Sequence, residues 1–154
     1  MNAVQPFLLG EAPWTEIRDG HLAALTLFGR HYSALPYRDG RDRRRFVGPG
    51  FRMVLLTPDA RALFCWRKFK SLDHQEGVNC AVFRNEGSSY GRSSDLITAA
   101  MGLAWTRWPG ERLYTYVNAK RVASPNPGFC FKSAGWSRCG TTATRKLHIL
   151  ECRP

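Results

Sequence analysis

The sequence predicts an α/β fold in which one mixed, largely antiparallel central sheet is flanked by helices. Two observations carry this. Phe51–Leu56 and Ala62–Phe69 are apolar runs carrying aromatic residues, and they flank Thr57–Arg61 with Pro58 at a favoured turn position, which is a hairpin. Val78–Phe83, a Gly/Ser loop, an amphipathic stretch and Leu113–Val117 then read as strand, loop, helix, strand. A crossover of that kind lays its two strands parallel. At 154 residues and 44% hydrophobic, the chain is long enough for one domain without disulfides or a structural metal.

The elements follow in order. Pro6–Leu9 reads as a short edge strand. Asp19–Tyr32 places Leu22, Leu25, Leu27 and Phe28 among alanines, giving a helix that runs to about Arg30. Arg38–Gly50 is a basic loop, and the hairpin comes next. Asp95–Trp108 sets Leu96, Ala100, Leu103, Ala104 and Trp108 on one face, and Pro109 with Gly110 stops the helix. Gly128–Ala134 is a short helix closed by Gly135, and Lys146–Cys152 is a final strand. Trp66, Trp105, Trp108 and Trp136 are assigned chiefly to the core, although one aromatic could stack an extruded base.

Composition narrows the function. Lys plus Arg number 23 against 12 Asp plus Glu, a net charge of +11. Such a balance favours a polyanionic partner, through counterion release from phosphates. The densest run holds Arg38, Arg41, Arg43, Arg44 and Arg45. Guanidinium groups engage phosphate oxygens bidentately, so this run is the candidate nucleic-acid contact; its bland reading is a solvated basic loop. The five cysteines form no CxxC pair, which indicates neither a zinc site nor a disulfide framework. No apolar run reaches membrane-spanning length and the N-terminus lacks a signal-peptide pattern, so the expected location is the cytoplasm.

The loop–helix junction from Ser88 to Ile97 is the chemically informative segment. Its small residues, Gly91, Ser93 and Ser94, let backbone approach a ligand, and a helix N-terminus offers unpaired N–H groups to an anion. Ser93 and Ser94 also read as caps of the Asp95 helix. In open α/β sheets a ligand crevice lies at the strand end, here near Phe83.

Element order, loop and the closing Ala134–Gly135–Trp136 together resemble the GNAT acyltransferase fold. There a strand leads into a (Gln/Arg)-x-x-Gly-x-(Gly/Ala) loop whose amides hold the pyrophosphate of acetyl-CoA. The matching register places Gly91 and Ser93 at the small positions, with Ser88 where Gln or Arg is usual and Ser93 where Gly or Ala is usual. The resemblance implies acetyl-CoA or a related acyl donor, bound through Phe83, Asn85, Gly91, Arg92, Ser93 and Ser94. Phe131 stands where many members carry an acid tyrosine. Within that superfamily the chain looks most like phage Mom-like DNA-modification proteins. The shared features are the turn Arg30–Ser33, the basic loop, Arg84 at the strand end and the tyrosine-rich strand Leu113–Asn118.

On that resemblance the catalytic candidates are His31, Tyr32, Arg84 and Glu86. His31 could take the proton of an amine or ligate a metal, or it is simply a helix C-terminal histidine. Tyr32 could replace the missing acid, or pack its ring. Arg84 could hold a phosphate or carbonyl and Glu86 could act as a base; the alternative is an Arg84–Glu86 ion pair. His21, His74 and His148 look incidental. Three readings follow: an acyltransferase acting on DNA base amines, a GNAT enzyme acting on a protein or small amine, and a catalytically silent nucleic-acid-binding protein.

Overall fold

A computed structural model describes residues 13–35, 39–41, 43–122 and 125–154. The strands are β1 (Thr15–Ile17), β2 (Phe51–Leu56), β3 (Ala62–Lys68), β4 (Val78–Asn85), β5 (Leu113–Val117), β6 (Ser137–Thr141) and β7 (His148–Cys152). They form one sheet in the order β1-β2-β3-β4-β5-β7-β6. Pairing is antiparallel everywhere except between β4 and β5, which run parallel. The helices are α1 (Leu22–Gly29), α2 (Ser93–Arg107) and α3 (Phe129–Ser133). The predicted α/β class, the hairpin and the parallel crossover through α2 are all present.

Both faces of the sheet are covered, which explains why β2 and β3 read as continuous apolar runs rather than alternating ones. Met53, Leu55, Phe64 and Trp66 pack with Leu96, Ile97 and Ala100 of α2. Val54, Leu56, Leu63 and Cys65 pack with Ala24, Leu27 and Phe28 of α1. Two indoles tie successive turns of α2 to the sheet: Trp14 Nε1 donates to the Leu96 carbonyl and Trp66 Nε1 to the Ala100 carbonyl, each at 2.9 Å. Trp66 and Trp136 are buried as expected, whereas Trp105 and Trp108 are only partly so.

Several boundaries differ from the sequence expectation, each for a local reason. Asp19 does not begin α1, because its carboxylate accepts the N–H groups of Phe46 and Val47 and pairs with Arg52. This pins the basic loop against α1, where Phe46 stacks on Phe28 with ring centres 4.9 Å apart. Arg92, not Ser93 or Ser94, is the N-cap of α2, and the Asp95 carboxylate accepts its backbone N–H at 3.3 Å. Strand β4 runs to Asn85, so Arg84 and Asn85 belong to it rather than following it. Strands β1 and β6 were not foreseen: one is three residues long, the other is largely exposed and lacks an apolar pattern. The predicted strand Pro6–Leu9 lies outside the described residues.

The feature that creates a site is the divergence of β4 from β5. Their ladder covers Val78–Cys80 against Leu113–Thr115. There Thr115 Oγ1 donates to the Cys80 carbonyl at 2.9 Å. Just beyond, the register of β3 against β4 jumps from Cys65↔Val82 to Trp66↔Cys80, leaving Ala81 as an extra residue. A bulge of this kind bends its strand and re-aims side chains. The two strands part above it and open a slot through the sheet.

Candidate functional site

The slot is a cavity of ≈ 300 Å³, at the lower end of the range for ligand pockets (roughly 300–1,000 Å³). Its walls are β4 from Asn79 to Phe83, β5 from Thr115 to Val117 with Asn118 just beyond it, the turn His31–Ser33 after α1, and Cys130 and Phe131 of α3. Arg145 and Leu147, from the connection between β6 and β7, complete it. His31, Tyr32 and Phe83 from the sequence reading therefore meet in one cavity. Arg84, Glu86 and the loop residues Gly91–Ser94 are not part of its wall.

The turn is delivered by α1. His31 N–H donates to the Phe28 carbonyl at 2.9 Å, which carries the chain out of the helix. Arg30 then makes two 2.7 Å bonds to the Glu86 carboxylate, fixing the turn to the end of β4. Arg84 Nε reaches the same carboxylate at 2.6 Å. Held by Arg30 and Arg84, the Glu86 carboxyl falls to about 2, so it is ionised and committed to these two guanidinium groups. The ion-pair alternative for Arg84 and Glu86 is the one observed, and neither residue lines the cavity.

His31 is lowered to about 4, mainly by burial and then by the charge of Arg84, against a hydrogen bond to the Phe83 backbone that raises it. The imidazole is thus neutral at physiological pH. Its Nδ1 accepts the Ser33 backbone N–H at 3.2 Å and lies 2.7 Å from Ser33 Oγ. Ser33 Oγ is thus the hydroxyl beside Nδ1, and both residues line the cavity. Tyr32 stacks on His31 with ring centres 4.4 Å apart, and its hydroxyl accepts the Asn118 N–H at 3.5 Å. Burial raises the phenol pKa, so it stays protonated.

Phe131 is buried, with its ring edge-on to Phe83 and Trp136. Cys80 and Cys130 also touch the cavity, and burial pushes both thiols up, away from thiolate. Among the described residues no cluster of three His, Cys, Asp or Glu side chains could hold a metal. No helix among them is long and apolar enough to cross a membrane.

The loop is more occupied than its sequence suggests. Asn85 Oδ1 accepts from the Gly87 and Ser88 N–H groups, and Asn85 Nδ2 donates to Ser93 Oγ at 3.1 Å. Asp59, from the β2–β3 turn, accepts from Ser88 Oγ and from the Ser89 N–H and Oγ. Ser88 and Ser89 are therefore spent on the fold, and Asn85 holds the loop rather than a ligand. What remains for an anion is the first turn of α2, where Ser93 and Ser94 present N–H groups without an intrahelical acceptor. Arg92 flanks them, paired with Asp95 at 3.1 Å.

Of the basic run, Arg38 lies outside the described residues. Arg41 pairs with Asp39 at 3.4 Å. Arg43 donates to the Leu35 carbonyl and lies over the Phe28 ring, so it anchors the loop beside the His31 turn. Arg44 and Arg45 are exposed. Replacing those two with Ala is expected to leave folding intact and flatten the salt dependence of binding to single-stranded DNA. The log–log slope should fall by about 0.7 for each arginine that no longer reaches a phosphate. An unchanged slope in a salt titration assigns them to a solvated face.

Sequence reasoning missed Ser33 as a site residue, along with Asn79, Thr115 and Arg145. Ser33 was visible only as the neighbour of a His-Tyr pair, and the others depend on where β4 and β5 part.

No family model matches the sequence, and no curated protein matches it. Among solved structures, the crystal structure of Escherichia coli ElaA matches with a TM-score of 0.56 and 18% sequence identity. The match covers 91% of this chain and 97% of that one. The fold is GNAT-like. At this identity the likeness speaks for the fold alone.

Proposed function

We propose that this protein is an acyltransferase that moves an acyl group from a CoA thioester to an exocyclic amine of a DNA base. The observation that carries the reading is the slot where β4 and β5 part. It holds a neutral histidine, and β4 continues from its Phe83 wall to Asn85, which is bonded to the first turn of α2. The donor phosphates would be held by the Ser93 and Ser94 amides, and its thioester would be served from the Phe83 wall of the slot. The net charge of +11 and the exposed Arg44 and Arg45 beside α1 favour a nucleic-acid acceptor over a neutral amine. The choice of a DNA base comes from the sequence resemblance of the Arg30–Ser33 turn and the basic loop to Mom-like proteins.

Each residue then has a task. The bound thioester supplies an electrophilic carbonyl and a thiol leaving group. An attacking base amine acquires positive charge as its C–N bond forms, and that ammonium is acidic enough for a weak base to deprotonate. Nδ1 of His31 receives the proton through Ser33 Oγ. With a pKa near 4, the imidazolium is a strong enough acid to return it to the sulfur as the C–S bond breaks. Tyr32 keeps its proton and donates a hydrogen bond to the departing sulfur. Cys80 and Cys130, held as thiols, offer no covalent route.

Donor binding is tested by thermal stabilisation with acetyl-CoA and other acyl-CoA thioesters, which reaches about 2.7 kcal/mol at a hundredfold excess over Kd. Ser93→Pro removes one first-turn N–H at a position where helices tolerate proline, and the preceding Arg92 already has the extended conformation proline requires (φ −69°, ψ 161°). It is expected to weaken the donor by roughly 10- to 100-fold, the value of a hydrogen bond to a charged group. Ser93→Ala, which keeps the N–H, is not. No shift of the wild type with any CoA thioester leaves the silent nucleic-acid-binding reading in place.

A further inference from the structure

We infer that Asn79 recognises the acceptor, reading the amine edge of a nucleobase inserted into the slot. The inference rests on the acyl-transfer reading and names what the cavity selects. Asn79 is in β4 immediately before Cys80, one residue short of the top of the β4–β5 ladder, and it lines the cavity. It is only 6% exposed, yet its Oδ1 has no hydrogen-bond partner. An unsatisfied buried acceptor costs about 1–3 kcal/mol. An apolar residue would avoid that cost, and β4 supplies apolar residues at neighbouring Val78, Ala81 and Val82.

The chemistry of the missing partner follows from the carboxamide. An N–H donor would satisfy it, and its own Nδ2 can serve a ring-nitrogen acceptor beside that donor. Adenine and cytosine present this amine-plus-ring-nitrogen edge, and asparagine pairs with such edges in two bonds. Thymine lacks the amine. The surroundings suit a base carried on a phosphate strand. Arg145 lines the same cavity, and the charges of Arg121 and Arg145 both act on Tyr32 at its wall. A lysine side chain or polyamine would bring a cation to these arginines and would not use both ends of the carboxamide. The amine held by Oδ1 is the one presented to the thioester carbonyl.

The test is equilibrium binding of dAMP, dCMP and dTMP to the purified protein, wild type and Asn79→Leu, with Tm recorded for each. The wild type is expected to prefer dAMP or dCMP over dTMP. Asn79→Leu is expected to erase that preference, a loss of roughly 5- to 150-fold, the worth of one bidentate base contact. Its Tm should be unchanged or higher, since an orphan polar atom is removed, and its stabilisation by acetyl-CoA should be retained. If Asn79→Leu does not fold, Asn79→Ala is read in the same way. A wild type indifferent to the base, a preference that survives substitution, or a fall in Tm showing that the carboxamide serves the fold would each overturn the inference. Failure of acetyl-CoA to bind the wild type is a separate result: it removes the acyl-transfer reading while the base preference can still be measured.

Discussion

His31→Ala is expected to lower acyl transfer by about 10²- to 10⁴-fold, the usual worth of a positioned acid–base group, while DNA affinity stays within a factor of two or so. The imidazole touches Tyr32, Ser33 and the Phe83 backbone, so some stability goes with it, but no element of the sheet depends on it. The pH profile makes the prediction specific. With His31 held at about 4 rather than its usual 6.5, the acid limb of kcat/KM should fall near pH 4 and leave the rate flat through neutrality. Stability carries the same signature. The folded pKa lies below the unfolded one, so as pH falls through about 6.5 the unfolded chain takes up a proton that the fold refuses. Stability therefore drops between about pH 6.5 and 4, and His31→Ala should remove that part of the acid sensitivity. Ser33→Ala should share the loss of rate, and Tyr32→Phe should lose less. Full activity in His31→Ala, measured by single-turnover transfer, would sink the assignment.

The largest effect on the fold is expected from Gly77→Ala. Gly77 precedes β4 with φ at +118°, and an added Cβ would lie 2.1 Å from the Arg112 carbonyl oxygen. That carbonyl accepts the Val78 N–H at 2.8 Å, at the base of the parallel pair. The Arg112 side chain holds the same corner through Glu151 at 2.5 Å, the Glu76 carbonyl at 2.9 Å and Gln75 Oε1 at 3.0 Å. A backbone clash cannot be relieved by a rotamer, so β4 must shift against β5. Positive φ adds about 1–2 kcal/mol for a residue with a Cβ. The combined cost should exceed about 3 kcal/mol, or roughly 6–12 °C in Tm for a chain of this size. Gly102→Ala is the control: it lies in α2 with nothing within 4 Å of the added Cβ, and is expected to raise Tm slightly. If Gly77→Ala melts within about 2 °C of the wild type, well short of the shift such a clash implies, the close approach at this corner is not what sets the β4–β5 pair.

The contrast between these two residues shows what the sequence could reveal. Hairpin, crossover and α2 were legible because apolar runs, Pro58 and the stop at Pro109 and Gly110 are local signals. His31 and Tyr32 were legible as a polar pair following an apolar helix. The slot was not, since it depends on a ladder of three residue pairs and a bulge at Ala81, neither of which leaves a mark in composition. Nor was the fate of the charges. Glu86 looks like a free carboxylate in sequence, and only the return of α1 to the end of β4 brings Arg30 to it. Asp59 looks like a turn residue, and only the register of the hairpin brings it under Ser88 and Ser89. The loop motif thus overstated the number of amides left for a donor.

The most direct test of acyl transfer to a base amine is mass spectrometry of nucleosides. Single-stranded oligonucleotides are incubated with the protein and each of a panel of CoA thioesters, then digested. The account predicts an acyl increment on an amine-bearing nucleoside, none on thymidine, and none with His31→Ala. Unmodified nucleosides in every reaction, under conditions where the same thioesters bind or a lysine peptide is acylated, would contradict it.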